Sequence, residues 1–209
     1  MTDTDPMSDN VYLTGFMGSG KSTVGPLVAE QLGAAFVDLD AAIEETVGRP
    51  IAQVFAEQGE DAFREAERAA LRATTSRSGL VVATGGGALL APEAFDAAAG
   101  AGTVVFLRVQ AEVLVARLAP EAAHRPLLHN ASGIPLEGEA LAQRIASLLA
   151  AREAAYERAH VVVQADDLPP ALLARWVVMA VADISATRSE PNAGHTDHKK
   201  SADPGQDRR

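Results

Sequence analysis

The 209-residue chain contains no cysteine, which excludes disulfides and thiolate metal sites and points to a reducing, cytoplasmic setting. No uninterrupted apolar run approaches the ~20 residues that span a bilayer. The first ten residues are acidic and have neither the basic nor the apolar segment of a signal peptide. No membrane partner is expected. Positive charge is also in deficit: the net charge of −10 argues against a general nucleic-acid surface. An acidic protein that handles anions must therefore gather its arginines locally. No internal repeat is present, and the chain is expected to be monomeric.

What is present suits one globular domain with tails. Residues 1–9 are rich in Asp, Thr and Ser, and from 187 to 209 the chain is polar, without apolar periodicity. His195 and His198 fall in that tail, where solvated histidines are commoner than metal ligands. Between the tails, in 10–186, strands are expected at 11–14, 36–39, 80–83, 104–109 and 161–164, all nearly continuous apolar runs. Strands buried on both faces of a parallel sheet read this way. Helices are expected at 23–32, 41–47, 60–76, 92–99, 112–118, 136–158 and 169–184. The alternation implies an α/β fold in which ligands bind beyond the carboxyl ends of the strands.

Directly after the first strand, Gly15-Phe16-Met17-Gly18-Ser19-Gly20-Lys21-Ser22 matches the phosphate-binding pattern G-x-x-x-x-G-K-[ST]. Its glycines allow backbone N–H groups to curl round a phosphate, Lys21 can reach the β- and γ-phosphates, and Ser22 can ligate the accompanying Mg²⁺. The helix from Thr23 points its positive end at the anion.

After the second strand comes Asp38-Leu39-Asp40. In an extended chain, alternate carboxylates face one way, roughly 7 Å apart; the competing reading is that Asp40 caps the following helix. After the third strand comes Thr84-Gly85-Gly86-Gly87, where three glycines favour close approach of a ligand over a plain turn. No Asp follows that strand, leaving Asp38 as the better metal candidate.

Four arginines stand out: Arg64, with Glu67 three residues on to orient it, Arg117 after the fourth strand, Arg125 before a proline in the loop-like stretch 119–135, and Arg152. For each, a solvated surface charge is the competing reading, though a long loop with Arg-Pro makes a good lid. His124, His129 and His160 lack metal-like spacing and read as structural or solvent-facing.

In order, Gly-Phe-Met-Gly-Ser-Gly-Lys-Ser-Thr, Phe-Val-Asp-Leu-Asp, Phe-Arg-Glu-x-Glu, Thr-Gly-Gly-Gly, Arg-Pro-Leu-Leu and Ala-Arg-x-x-x-Tyr resemble the shikimate kinases, P-loop enzymes of the nucleoside-monophosphate-kinase-like superfamily. The resemblance covers residues 10–183. It implies a five-stranded parallel sheet flanked by helices, a substrate-binding subdomain, a lid at about 119–135, and MgATP-dependent phosphorylation of the shikimate 3-hydroxyl on the route to chorismate and the aromatic amino acids. It implies that Gly18, Ser19, Gly20, Lys21, Ser22 and Thr23 hold the ATP phosphates, with Ser22 and Asp38 on Mg²⁺. Asp40 would bind the ring hydroxyls beside the one attacked. Arg64 and Arg152 would clamp the carboxylate, with Gly85, Gly86 and Gly87 under the ring. Arg117 would lie against adenine, and Arg125 would swing in with the lid. The physical logic agrees, because guanidinium groups recognise carboxylates bidentately and phosphoryl transfer needs alignment and neutralised charge.

Three features depart from the family pattern. Residues 119–124 carry Glu121 and no extra basic residue, the adenine loop at 165–169 has no arginine, and the charged tail is additional. Two rival readings are a gluconate kinase, which a lone P-loop would allow, and a non-catalytic nucleotide switch, which would not need Asp40, Arg64 and Arg152 around a small anion.

Overall fold

In the computed structural model, residues 9–166 and 168–189 are described. The N-terminal tail up to residue 8, the C-terminal tail from residue 190 with His195 and His198, and Asp167 lie outside the described residues.

The apolar runs form five strands: β1 (Asn10–Thr14), β2 (Ala35–Asp38), β3 (Leu80–Ala83), β4 (Gly102–Arg108) and β5 (Val161–Gln164). All neighbours are parallel, in the order β2-β3-β1-β4-β5. β1 is central, with Val11 beside Val81 on one side and Thr103 on the other. The chain leaves β1 towards β2 and later crosses to β4, so the switch point falls at the end of β1, where α/β sheets bind ligands. Asn10 pins the opposite end. Its buried amide donates to Thr74 O (3.2 Å) and Arg77 O (2.8 Å) and accepts from Leu80 N (3.0 Å).

Seven helices flank the sheet: α1 (Lys21–Leu32), α2 (Leu39–Val47), α3 (Ile51–Thr75), α4 (Pro92–Ala101), α5 (Ala111–Leu118), α6 (Gly138–Tyr156) and α7 (Pro170–Ser189). Their apolar sides make three cores. The largest joins Val28 of α1, Leu114 of α5, Ile145 of α6 and Val177 of α7 to one sheet face. A second packs Leu71 of α3 and Phe95 of α4 on Tyr12 and Val82. A third, of Ile43, Val54 and Phe63, holds α2 to α3 apart from the sheet; it is a separate small subdomain beside the switch point.

Several boundaries differ from the sequence pattern. α3 starts at Ile51 and not at 60, because Gly59 (φ 82°, ψ 179°) joins two helices at a kink, and that glycine hides the first one. The stretch 119–135 is not a plain loop: it contains two 3₁₀ helices, Ala119–His124 and Pro126–Leu128, anchored by the buried Ala122 and Leu128. α7 continues to Ser189, past the expected end of the domain at 186. It is also long and apolar enough, by length and composition, to cross a membrane, although charges interrupt its runs. Leu173, Ala174, Val177 and Val181 bury one side of it in the main core.

Candidate active site

Beyond β1 the chain turns at Gly15 and enters α1 through Gly20. Gly18 (φ 77°) and Gly20 (φ 94°) hold backbone angles that L side chains rarely adopt. The turn wraps the Lys21 ammonium, which donates to Gly15 O (2.9 Å), Phe16 O (2.9 Å) and Ser19 Oγ (3.3 Å). Burial lowers its pKa from 10.5 to about 8, against the pull of Asp40 and Asp38. A cation held only by carbonyl and hydroxyl dipoles is poised to exchange them for an anion. Lys21, Ser22 and Thr23 line a cleft of about 570 Å³ with Asp38, Asp40 and Arg117.

The two aspartates reach that cleft differently from the alternating geometry expected. β2 ends at Asp38 and α2 begins at Leu39, so Asp40 is helical. The capping residue is Asp38, not Asp40: its Oδ1 accepts from Asp40 N (3.0 Å) and Ala41 N (3.4 Å). One Asp38 oxygen is thereby fixed, while Asp40, one residue into the helix, is free to face the cleft. Burial and then the neighbouring Asp38 raise the Asp40 pKa above the ordinary carboxylate value, with Lys21 opposing.

The three glycines after β3 are spaces for charged groups. A Cβ at Gly85 would sit 2.8 Å from Asp40 Oδ1 and 2.9 Å from Glu67 Oε1, and one at Gly87 would sit 2.7 Å from Arg64 Nη1. At Gly86 the nearest side-chain atom is Arg152 Nη1, at 3.7 Å. Asp40, Glu67, Arg64 and Arg152 thus converge on one short segment from α2, α3 and α6. Arg64 is half-buried, gripped by Glu67 (2.7 Å) and Glu60 (3.0 Å). Arg152 lies over the buried Phe16 ring, 5.6 Å to its centroid, and reaches Gly86 O at 3.4 Å.

Three contributors were not among the expected site residues. Tyr156, one turn after Arg152, donates to Gly86 O at 2.6 Å, fixing the middle glycine; the i,i+4 spacing from Arg152 was the available signal. Phe16 supplies the apolar floor under Arg152. Glu67, expected only as a partner for Arg64, is 4% exposed and its Oε1 has no hydrogen-bond partner. Burial raises its pKa despite Arg64.

Arg117 bridges the P-loop to the start of the 165–169 loop, donating to Gly18 O (3.2 Å), Ala165 O (3.1 Å) and Asp166 O. An arginine therefore does border that loop, although none stands within it. Arg125 lines the cleft while paired to Glu121 (2.6 Å). Arg64 and Arg152 lie behind Gly86 and Gly87, outside the residues lining the cleft. His129 contacts Ala122 O and His160 Nδ1 accepts from Val104 N, as expected of structural histidines. No cluster of three or more metal-binding side chains occurs among the described residues.

A model of the shikimate kinase family matches residues 17–182. Chlorobium chlorochromatii has a shikimate kinase 49% identical to this chain over 156 residues, 75% of this chain and 82% of the relative. One from Salinibacter ruber is 45% identical over 161 residues, 77% of this chain and 79% of that relative. Among solved structures, the shikimate kinase of Acinetobacter baumannii in complex with shikimate superimposes with a TM-score of 0.77 at 33% identity, covering 88% of this chain and 97% of that one.

Proposed function

The chain belongs to the shikimate kinase family, and from that premise we propose how its own residues carry out the reaction. It transfers the γ-phosphate of ATP to the 3-hydroxyl of shikimate. The observation that carries the site assignment is the convergence on Gly85–Gly87 of two carboxylates and two guanidiniums, next to a phosphate loop with its lysine turned inward. A small anion bearing several hydroxyls is the chemistry such a set recognises.

ATP phosphates enter the cleft and draw Lys21 from the carbonyls of Gly15 and Phe16. Gly18, Ser19, Gly20, Ser22 and Thr23 present their backbone to the phosphates at the positive end of α1, and Arg117 borders the base. The metal fit is adequate: Mg²⁺ takes one or two protein oxygens and completes its shell with water and phosphate. Ser22 and Asp38, whose carboxylate is held in place by its capping bonds, would hold it. When bound it would neutralise phosphate charge.

Behind the glycines, Arg64 and Arg152 clamp the shikimate carboxylate. Asp40 orients the ring hydroxyls and takes the proton of the attacking one as the oxygen–phosphorus bond forms and ADP leaves. Its raised pKa suits it to that proton. The unpartnered oxygen of Glu67 supplies a further acceptor for a ring hydroxyl. Arg125 exchanges Glu121 for the transferring phosphoryl group when the 119–135 segment closes. Every one of these groups comes from a single chain, so catalysis needs no second subunit.

An ADP-release assay with shikimate, with gluconate and without acceptor tests this reading. Shikimate-dependent release that needs Mg²⁺ is expected. Turnover of gluconate with shikimate inert would overturn the reading, and acceptor-independent release at the same rate would replace it with a nucleotide switch.

A further inference from the structure

Tyr156 ends α6 with a side chain that is 2% exposed and stacked on Phe106 of β4, 5.0 Å between ring centroids and 26° between planes. The next residue, Glu157, pairs with Arg108, two positions after Phe106 on the same face of β4. The end of α6 is thereby fastened to the sheet at two adjacent points. A phenylalanine would fill this place equally well, and a buried hydroxyl is costly unless it is bonded. The bond it makes reaches across the end of β1. Phe106 lies beside Thr14, β3 lies on the far side of β1, and the Tyr156 hydroxyl donates to the Gly86 carbonyl just beyond β3. Burial raises the Tyr156 pKa, with Arg152 opposing, so the hydroxyl keeps its proton and remains a donor at neutral pH.

Of the three glycine carbonyls, this is the one held by side chains. Gly85 O and Gly87 O accept from the backbone of Ala88 (3.1 Å) and Leu90 (3.2 Å), whereas Gly86 O accepts from Tyr156 and, at 3.4 Å, from Arg152 Nη1. In a trans peptide the C=O and the following N–H point to opposite sides. A Gly86 carbonyl drawn towards α6 therefore turns the Gly87 N–H away from it, and among the described residues that N–H has no acceptor. Three consecutive glycines would otherwise sample many backbone states. On the reading of this segment as the seat of shikimate, we propose that Tyr156 is a positioning residue for that substrate. Its hydroxyl fixes the Gly86–Gly87 peptide, so that the Gly87 N–H and the Arg152 guanidinium are already set when the acid arrives. Preorganisation of this kind acts on affinity. Tyr156 is not among the residues lining the phosphate cleft, so its effect falls on the shikimate KM and not on kcat.

Tyr156→Phe keeps the ring and its stacking and deletes only the donor, so the fold survives and the readout is kinetic. The shikimate KM should rise about three- to tenfold, the worth of one buried hydrogen bond, with kcat within about twofold of wild type and the ATP KM unchanged. Calorimetric titration with shikimate should show the same ratio in Kd. Because both donors meet at Gly86 O, the penalty measured on top of Arg152→Ala should shrink to about twofold or less. An unchanged shikimate KM, whatever the melting temperature, would overturn the proposal and leave the hydroxyl a satisfied core group. So would equal rises in both KM values, or a full penalty in the Arg152→Ala background. Wild type is the reference throughout. If it is inert towards shikimate, the functional reading itself fails, whereas wild-type turnover with an unaltered Tyr156→Phe defeats the positioning role alone.

Discussion

Lys21 and Asp40 are held in states that cost folding energy and suit chemistry. The folded chain binds the Lys21 proton less tightly than the unfolded chain does, so this residue makes stability rise with pH between about 8 and 10.5. In the empty enzyme its charge fades above about 8. We predict that kcat/KM for ATP declines above that pH, while kcat holds to higher pH because bound phosphates retain the proton. Steady-state kinetics across pH, with ATP varied, checks both limbs. Asp40 runs in the other direction. Its raised pKa makes ionisation unfavourable in the fold, so Asp40→Asn should raise the melting temperature while lowering kcat by at least about 100-fold. Near-normal kcat in that variant would leave Asp40 without a catalytic role. Lys21→Ala should also cut kcat severely, through loss of the cation nearest the transferring group.

At the scale of elements, the proposed mechanism makes the glycine segment after β3 the divider between the nucleotide side and the acid-recognition side. Gly87 holds ordinary backbone angles, and its constraint is the Arg64 guanidinium 2.7 Å from where a Cβ would stand. Gly87→Ala should therefore displace Arg64 and raise the shikimate KM with little change in the ATP KM; equal rises in both would mean the segment had moved as a whole. The need for glycine here was legible in the sequence, as was the strand–loop–helix of the phosphate site, because both follow from local backbone chemistry. The Asp38-Leu39-Asp40 geometry was not. The chain enters α2 at Leu39, two residues before the expected start at 41, and the capping bonds of Asp38 decide that boundary. Gly59 likewise masked the first half of α3, since a helix continuing past a kink leaves no periodic trace across it. The Phe16 floor and the Tyr156 strut depend on contacts between β1, β3 and α6, which no local pattern encodes. Glu121 was visible, but its consequence is geometric: it holds Arg125 by an ion pair at the cleft. Exposed pairs of this kind are worth ~0.2–1 kcal/mol, so Glu121→Gln should change kcat by no more than about fivefold, a shift that stopped-flow closure rates would resolve.

For the whole molecule, the seven described helices, the five-stranded sheet and the small α2–α3 core form the part that binds and reacts. Residues 190–209 contain alanine as their only apolar residue type. Truncation after Ser189 should leave shikimate turnover and melting temperature nearly unchanged; a drop of many degrees would show that this segment docks. The proposed catalytic and binding groups are spread widely along the chain. Arg64 stands on α3, Arg152 on α6 and Arg125 between the two 3₁₀ helices, and the fold alone brings the first two to the Gly85–Gly87 segment and the third to the adjoining cleft. That division of labour is the central claim, and steady-state kinetics on Arg64→Ala, Arg152→Ala and Arg125→Ala, each substrate varied in turn, tests it most directly. Arg64→Ala and Arg152→Ala should each raise the shikimate KM by roughly 30-fold or more, from a lost charge-assisted pair worth about 2–4 kcal/mol, with ATP affinity barely altered. Arg125→Ala should lower kcat more than it raises the shikimate KM. Shikimate affinity preserved in both clamp variants, or a silent Arg125→Ala, would contradict the account.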